Sequence, residues 1–392
     1  MRIGFLLPSI YASNRYSEGR IFAPKDIAVT LVNRLVEKGH QVLFYTSSDV
    51  VSNATVIGGD ERLTNTDPFY FQFRYRDLAE QKYATFEIIK RDFEYDLTIK
   101  AYQDALSGKL DIIQSFHDFG AHYFNELTKF PTVYVLHDPL PQDENTIEYL
   151  RLSKFTHHDY ISISDSQRKG VVKLNFIKTI HHGLKIDEFA YSENADNYLI
   201  HFGRILEDKG SDLAVKVALE TGNTLRIATS NIRANRSAKF YDQTIAPFID
   251  GKKIILEGYY TGEAKSNYIK KAKAFLFPLK WEEPFGLVMI ESMACGTPVV
   301  AFARGSVPEV IKDGETGFIV NFSETDIRGD WIVKKTGFEG LCEAVERIYS
   351  MPEEQYRQMR RACRAHVEKN FTVERMADEY EKVYQQIINL KK

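Results

Sequence analysis

The sequence predicts an α/β protein built from two parallel-sheet domains, and three observations carry that expectation. Its 392 residues exceed what one hydrophobic core usually supports. From Arg2 to about Gly183, short apolar and β-branched runs alternate with stretches of helical spacing. After a polar run, Leu184 to Asn197, the same alternation begins again at Tyr198. We therefore expect one domain over residues 1–190 and a second over 191–372, each a doubly wound parallel sheet with helices on both faces. In such sheets ligands collect beyond the carboxyl ends of the strands, so the residues at those ends matter most.

In the first domain the strand-like runs are Arg2–Leu7, Gln41–Thr46, Asp111–Phe116, Thr132–Leu136, Tyr160–Ser164 and Phe176–His181. A helix is expected over Asp26–Lys38, where Ile27, Leu31, Val32 and Leu35 share a face and Gly39 stops it. Two strands end in histidine: Ser115-Phe116-His117-Asp118 and Val135-Leu136-His137-Asp138. Successive histidines at strand ends are candidates for contact with a bound ligand. The segment Asp67 to Asp96 mixes aromatic and basic residues, among them Phe69, Tyr70, Arg74, Arg76, Phe86 and Arg91. It reads as a wall for an acceptor or as helices packed on the sheet, and less well as a helix lying on a membrane surface, because Glu80, Glu87, Asp92, Glu94 and Asp96 dilute its positive face.

The second domain opens with Tyr198-Leu199-Ile200-His201-Phe202-Gly203-Arg204, followed by Lys209-Gly210. Two cations at one strand's carboxyl end suit phosphate oxygens, arginine as a planar fork and lysine as a compact charge. Runs Leu225–Ser230, Lys253–Tyr259 and Ala274–Leu279 supply further strands. The last leads into Glu282-Glu283-Pro284-Phe285-Gly286-Leu287-Val288-Met289-Ile290-Glu291, which reads as a loop and helix closed by Gly296-Thr297-Pro298. First-turn N–H groups around Gly286, Leu287 and Val288 lack helical partners, so this turn suits a diphosphate. Glu291 lies five residues beyond Gly286, about 7–8 Å along a helix axis, the reach from a phosphate to a ribose. Glu283 precedes the helix and faces whatever the distal phosphate carries. Helices over Phe338–Tyr349, Glu353–Lys369 and Val373–Leu390 complete the chain.

Two glutamates separated by seven residues around a Pro-Phe-Gly-Leu turn, with Gly203-Arg204 and Lys209-Gly210 upstream, resemble the retaining glycosyltransferases of family 4. The resemblance implies the GT-B fold: two Rossmann-like domains facing a central cleft, the N-terminal one binding acceptor, the C-terminal one nucleotide sugar, and residues 373–392 crossing back onto the first. It implies that Glu291 bonds the ribose, Glu283 the donor sugar, and Arg204 and Lys209 the diphosphate. It further implies that His137 contacts the sugar near the reacting carbon, and that the strand end at Tyr259 holds the base. His117 and Asp118 become candidates for the acceptor. Where relatives carry a glycine pair in the first loop this chain has only Gly19, and Ser230 stands where a lysine is common.

Composition bounds the chemistry. A formal net charge of −3 argues against a general nucleic-acid binder. The three cysteines have no metal-ligand spacing and suit a reducing cytoplasm. The Arg2–Leu7 run is too short for a signal peptide and no stretch is apolar enough to span a bilayer, so a cytoplasmic protein is expected, with peripheral contact at the inner membrane face left open. No two aspartates are separated by a single residue, so no Asp-x-Asp metal motif is present. The expected function is metal-independent, cofactor-free hexose transfer from a nucleotide-diphosphate sugar, UDP-glucose by family frequency, to an acceptor hydroxyl with retention. The alternatives are a GT-B epimerase or phosphorylase, or a non-catalytic sugar-binding protein.

Overall fold

The computed structural model describes residues 1–17, 22–65, 80–116, 119–229 and 236–390. Strands numbered in chain order are β1 (Arg2–Leu6), β2 (Gln41–Tyr45), β3 (Thr55–Ile57), β4 (Ile112–Phe116), β5 (Thr132–Val135), β6 (Asp159–Ser162) and β7 (Asn175–Thr179), then β8 (Tyr198–Phe202), β9 (Thr224–Ala228), β10 (Ile254–Glu257), β11 (Ala274–Phe277), β12 (Val299–Phe302) and β13 (Gly317–Val320). The helices of eight residues or more are α1 (Ala23–Glu37), α2 (Glu80–Leu106), α3 (Gly120–Thr128), α4 (Ser211–Glu220), α5 (Arg236–Thr244), α6 (Gly262–Lys270), α7 (Leu287–Ala294), α8 (Gly337–Tyr349), α9 (Glu353–Asn370) and α10 (Val373–Leu390).

The chain divides into two compact units, Met1–Gly183 with Val373–Lys392, and Leu184–Thr372. The division falls at Gly183, within the first strand-rich half, where the composition had suggested residue 190. In the first unit the strands are ordered β3-β2-β1-β4-β5-β6-β7, all parallel. In the second the order is β10-β9-β8-β11-β12-β13, again all parallel. Each sheet grows outward in both directions from its first strand. That leaves a topological switch point between β1 and β4, and another between β8 and β11.

The elements follow from the pattern of apolar residues. In α1 the buried face is Ile27, Ala28, Leu31, Val32 and Leu35, and Pro24 lies in its first turn, where a missing N–H costs no helical bond. The helix therefore starts at Ala23, ahead of the expected Asp26. Many strands are buried throughout, as continuous apolar runs are when helices cover both faces: every residue of the inner strands β4, β5, β8, β11 and β12 and of the edge strand β13 is buried. The short edge strand β3, half-exposed, escapes sequence reading because Thr55-Val56-Ile57 is too brief to show a period. The second unit's core joins Leu199, Leu225, Leu276 and Val300 of the sheet to Ala214 and Val215 of α4 and Leu341 and Val345 of α8. In the first unit, α10 buries Met376, Tyr380, Val383, Tyr384 and Ile387, and packs along α1.

Candidate active site

The second unit's switch point brings its chemistry together. Lys209 ends a short turn after β8, and Gly210 follows with φ 69° and no room for a side chain, because a Cβ there would lie 1.9 Å from the Pro278 carbonyl oxygen. The bare glycine lets the loop after β8 rest directly on the loop after β11. Two further contacts tie the same loops: the Lys280 amide donates to the Asp208 carbonyl at 2.8 Å, and Lys280 Nζ reaches Asp212 at 3.2 Å. Behind them His201, fully buried and held neutral-leaning by that burial, bridges Leu276 O and Ser211 Oγ at 2.9 Å each.

At this junction Lys209 Nζ donates to Glu283 Oε2 at 2.7 Å. The Trp281 indole N–H donates to the same oxygen at 3.0 Å, and the ammonium lies 4.3 Å from the indole ring centroid. Both side chains of the ion pair are largely buried, at 17% and 13% exposure. Gly286 caps α7 at φ 76°, a left-handed angle that favours glycine. Leu287 and Val288 are half-buried in the first turn. The loop before α7 is held from the β12 side. Ser306 N donates to Glu283 O at 2.9 Å and Ser306 Oγ to Phe285 O at 2.7 Å. Glu282 takes Gly305 N at 2.7 Å, Arg304 at 2.9 Å and both arms of Arg328 at 2.7 and 2.8 Å. Burial would raise the Glu282 pKa, but the hydrogen bonds from Arg328, Arg304 and Gly305 outweigh it and bring it down to about 2.

The other predicted residues fall as follows. Glu291 sits on α7, mostly buried, and pairs with Lys265 of α6 at 2.6 Å. Arg204 is exposed on the same loop as Lys209. Tyr259, 45% exposed, follows β10. In the first unit His137 lies just past β5, with its ring edge-on to Phe116 at 4.2 Å and stacked on His182 at 5.4 Å. Gln167 holds the backbone on both sides of it, donating to Leu136 O at 2.9 Å and Asp138 O at 3.0 Å. His182 is buried, which brings its pKa down to about 3. Gly19, His117, Asp118 and Ser230, with residues 67–79 of the aromatic and basic segment, lie outside the described residues.

Sequence reading missed Lys265, Trp281 and Gln167. Lys265 is 26 positions from its partner and belongs to another helix, so no local spacing points to it. Trp281, two residues before Glu283, was within reach, as an indole donor beside an acid.

Two parallel sheets, each ordered about a switch point and flanked by helices, define a fold of the GT-B type. Solved structures agree on the fold. The chain matches a sucrose-phosphate synthase from Thermosynechococcus elongatus with TM-score 0.73 and 18% identity, covering 100% of both chains. It also matches Anabaena HepE, solved with UDP and glucose, with TM-score 0.68 and 16% identity over 98% of this chain and 100% of that one. Residues 185–327, within the second unit, match the family model described as glycosyl transferases group 1. An N-acetyl-alpha-D-glucosaminyl L-malate synthase of Bacillus anthracis is 31% identical over 110 residues, 28% of this chain and 25% of that protein. The chain spans less than half the length of the first curated relatives it matches.

Proposed function

We propose that this protein transfers a hexose from a nucleotide-diphosphate sugar to an acceptor hydroxyl, with retention at the anomeric carbon and with no metal ion in the reaction. The observation that carries the reading is the meeting of Lys209 and Glu283 at the β8/β11 switch point, beside the Gly286 turn. The diphosphate lies on the N–H groups of Gly286, Leu287 and Val288, where the helix dipole favours negative charge. Lys209 and Arg204 neutralise the charge that grows on the leaving phosphate, and fixed cations aimed at developing charge perform the role a divalent ion otherwise takes. Glu291 accepts from the ribose hydroxyls, with Lys265 holding its carboxylate in place. Glu283 accepts from a hydroxyl of the sugar.

In the transfer step the bond from the anomeric carbon to the diphosphate oxygen breaks, and a bond to the acceptor oxygen forms on the same face. The acceptor proton passes to the departing phosphate oxygen. The glucose and UDP named for the Anabaena structure support a UDP-type donor. A thermal-shift panel of nucleotide sugars, followed by product detection with candidate acceptors, tests the proposal. We expect one sugar nucleotide to raise Tm, turnover to persist in EDTA, and the new linkage to keep the donor's anomeric configuration by NMR. Turnover of donor to an epimer without acceptor, or phosphorolysis with sugar phosphate, would replace the reading with another GT-B reaction.

A further inference from the structure

The first unit gathers two histidines and a glutamate around one point. Glu126, on α3, accepts from His157 Nε2 at 2.7 Å and from His158 Nε2 at 2.8 Å, both at the same carboxylate oxygen, Oε1. The candidate ligand atoms all lie within 4.8 Å of one another. We infer that Glu126, His157 and His158 form a binding site for a divalent ion of the zinc type. Two imidazole nitrogens and one carboxylate oxygen are a borderline donor set that suits zinc, with water in the fourth position. Bonds of about 2.0 Å in a tetrahedron place ligand atoms about 3.3 Å apart, so each imidazole nitrogen needs to draw back from Glu126 Oε1 by only about half an ångström.

The site is built from behind. His158 is 7% exposed, and its Nδ1 lies 2.8 Å from Nδ1 of His122, which is fully buried. The His122 ring is stacked on Tyr134 at 3.9 Å and on Phe155 at 4.9 Å, so it cannot turn away. With an ion on Nε2, His158 carries its proton on Nδ1 and donates to His122, a second partner that fixes the ligand's tautomer and direction. Lys129 stands against the ion: its Nζ is 2.5 Å from Glu126 Oε2, the other oxygen. It is 66% exposed and can swing into solvent when a dication arrives.

The position sets the role. Val133 pairs with Asp159, so His158 is level with the start of β5, while His137 lies five residues further along, about 16 Å at strand spacing. An ion here fastens the end of α3 to the turn entering β6 and stays clear of the reacting sugar. The test uses tag-free, chelator-stripped full-length protein dialysed against zinc and counted by mass spectrometry, with cobalt absorption as a report on tetrahedral geometry. His157 is 59% exposed, so His157→Ala leaves the fold and basal turnover unchanged. The wild type should retain about one zinc per chain, His157→Ala and Glu126→Gln should bind at least about tenfold more weakly, and Lys129→Met should bind more tightly. No uptake by the wild type, or equal uptake by the wild type and both weakened variants, would overturn the site.

Discussion

At the scale of single residues, one carboxylate oxygen of Glu283 takes two donors of different kinds, an ammonium and an indole N–H. That arrangement separates charge from orientation. In the proposed transfer, removing Lys209 deletes the cation assigned to the leaving diphosphate, whereas trimming Trp281 frees the acid to rotate. Lys209→Ala should therefore lower kcat about 10²–10³-fold, the size found when one preorganised donor is lost. Trp281→Phe keeps the ring under the ammonium and loses only the N–H, so a smaller fall is expected. Steady-state kinetics on the two variants distinguishes them, and equal losses would remove the indole from the argument. Glu291 acts earlier. Its replacement by Ala should abolish the thermal shift given by the donor, and an unchanged shift would take it out of the nucleotide site. Lys265→Met should weaken the same shift without abolishing it.

At the scale of elements, the site depends on loops pressed against each other at strand ends. Gly210 is the tightest of these contacts, with both a left-handed backbone and the Pro278 carbonyl in its way. Gly210→Ala should destabilise the second unit by about 2–4 kcal/mol, through backbone strain together with displacement of the β11 loop. Tm and the Lys209 environment should move together. The β12 loop gives a pH signature. Glu282 ordinarily titrates near 4.5 and is held near 2 in the folded protein by Arg328, Arg304 and Gly305 against the opposing effect of burial. A depressed carboxylate contributes stability above its unfolded pKa and loses it as pH falls through the folded one. Denaturant titrations between pH 4.5 and 2 should thus show a steeper loss for the wild type than for Glu282→Gln. Parallel slopes would show that the arginine cluster does not hold the loop.

At the scale of the whole chain, the fold was legible because its signals are long: central strands read as apolar runs, and helices such as α1, α8 and α9 read from their faces. Strand ends shifted by at most two residues, because a carbonyl at a sheet's rim can bond water as readily as a neighbour. Of the site, the residues near one another in sequence, Glu283, Gly286 and Glu291, could be grouped in advance. Lys265 and Gln167 could not, since only tertiary packing brings them to their partners. The division of the chain makes the final prediction. The polypeptide leaves the first unit at Gly183 and returns to it at Val373, so α10 belongs to a core built from the other end of the sequence. It buries Met376, Tyr380, Tyr384 and Ile387 almost completely. Lys38 binds Asp378 and Glu381, and Arg375 binds the His181 carbonyl. Four such side chains at about 2 kcal/mol each come to about 8 kcal/mol, comparable to the whole stability of a typical domain. Deleting residues 373–392 should therefore unfold the first unit while the second, a compact unit with its own core, keeps its structure. Hydrogen exchange should show β1, β4 and β5 losing protection and β8, β11 and β12 retaining it. Loss of protection in both sheets at once would mean that the two cores are stable only together.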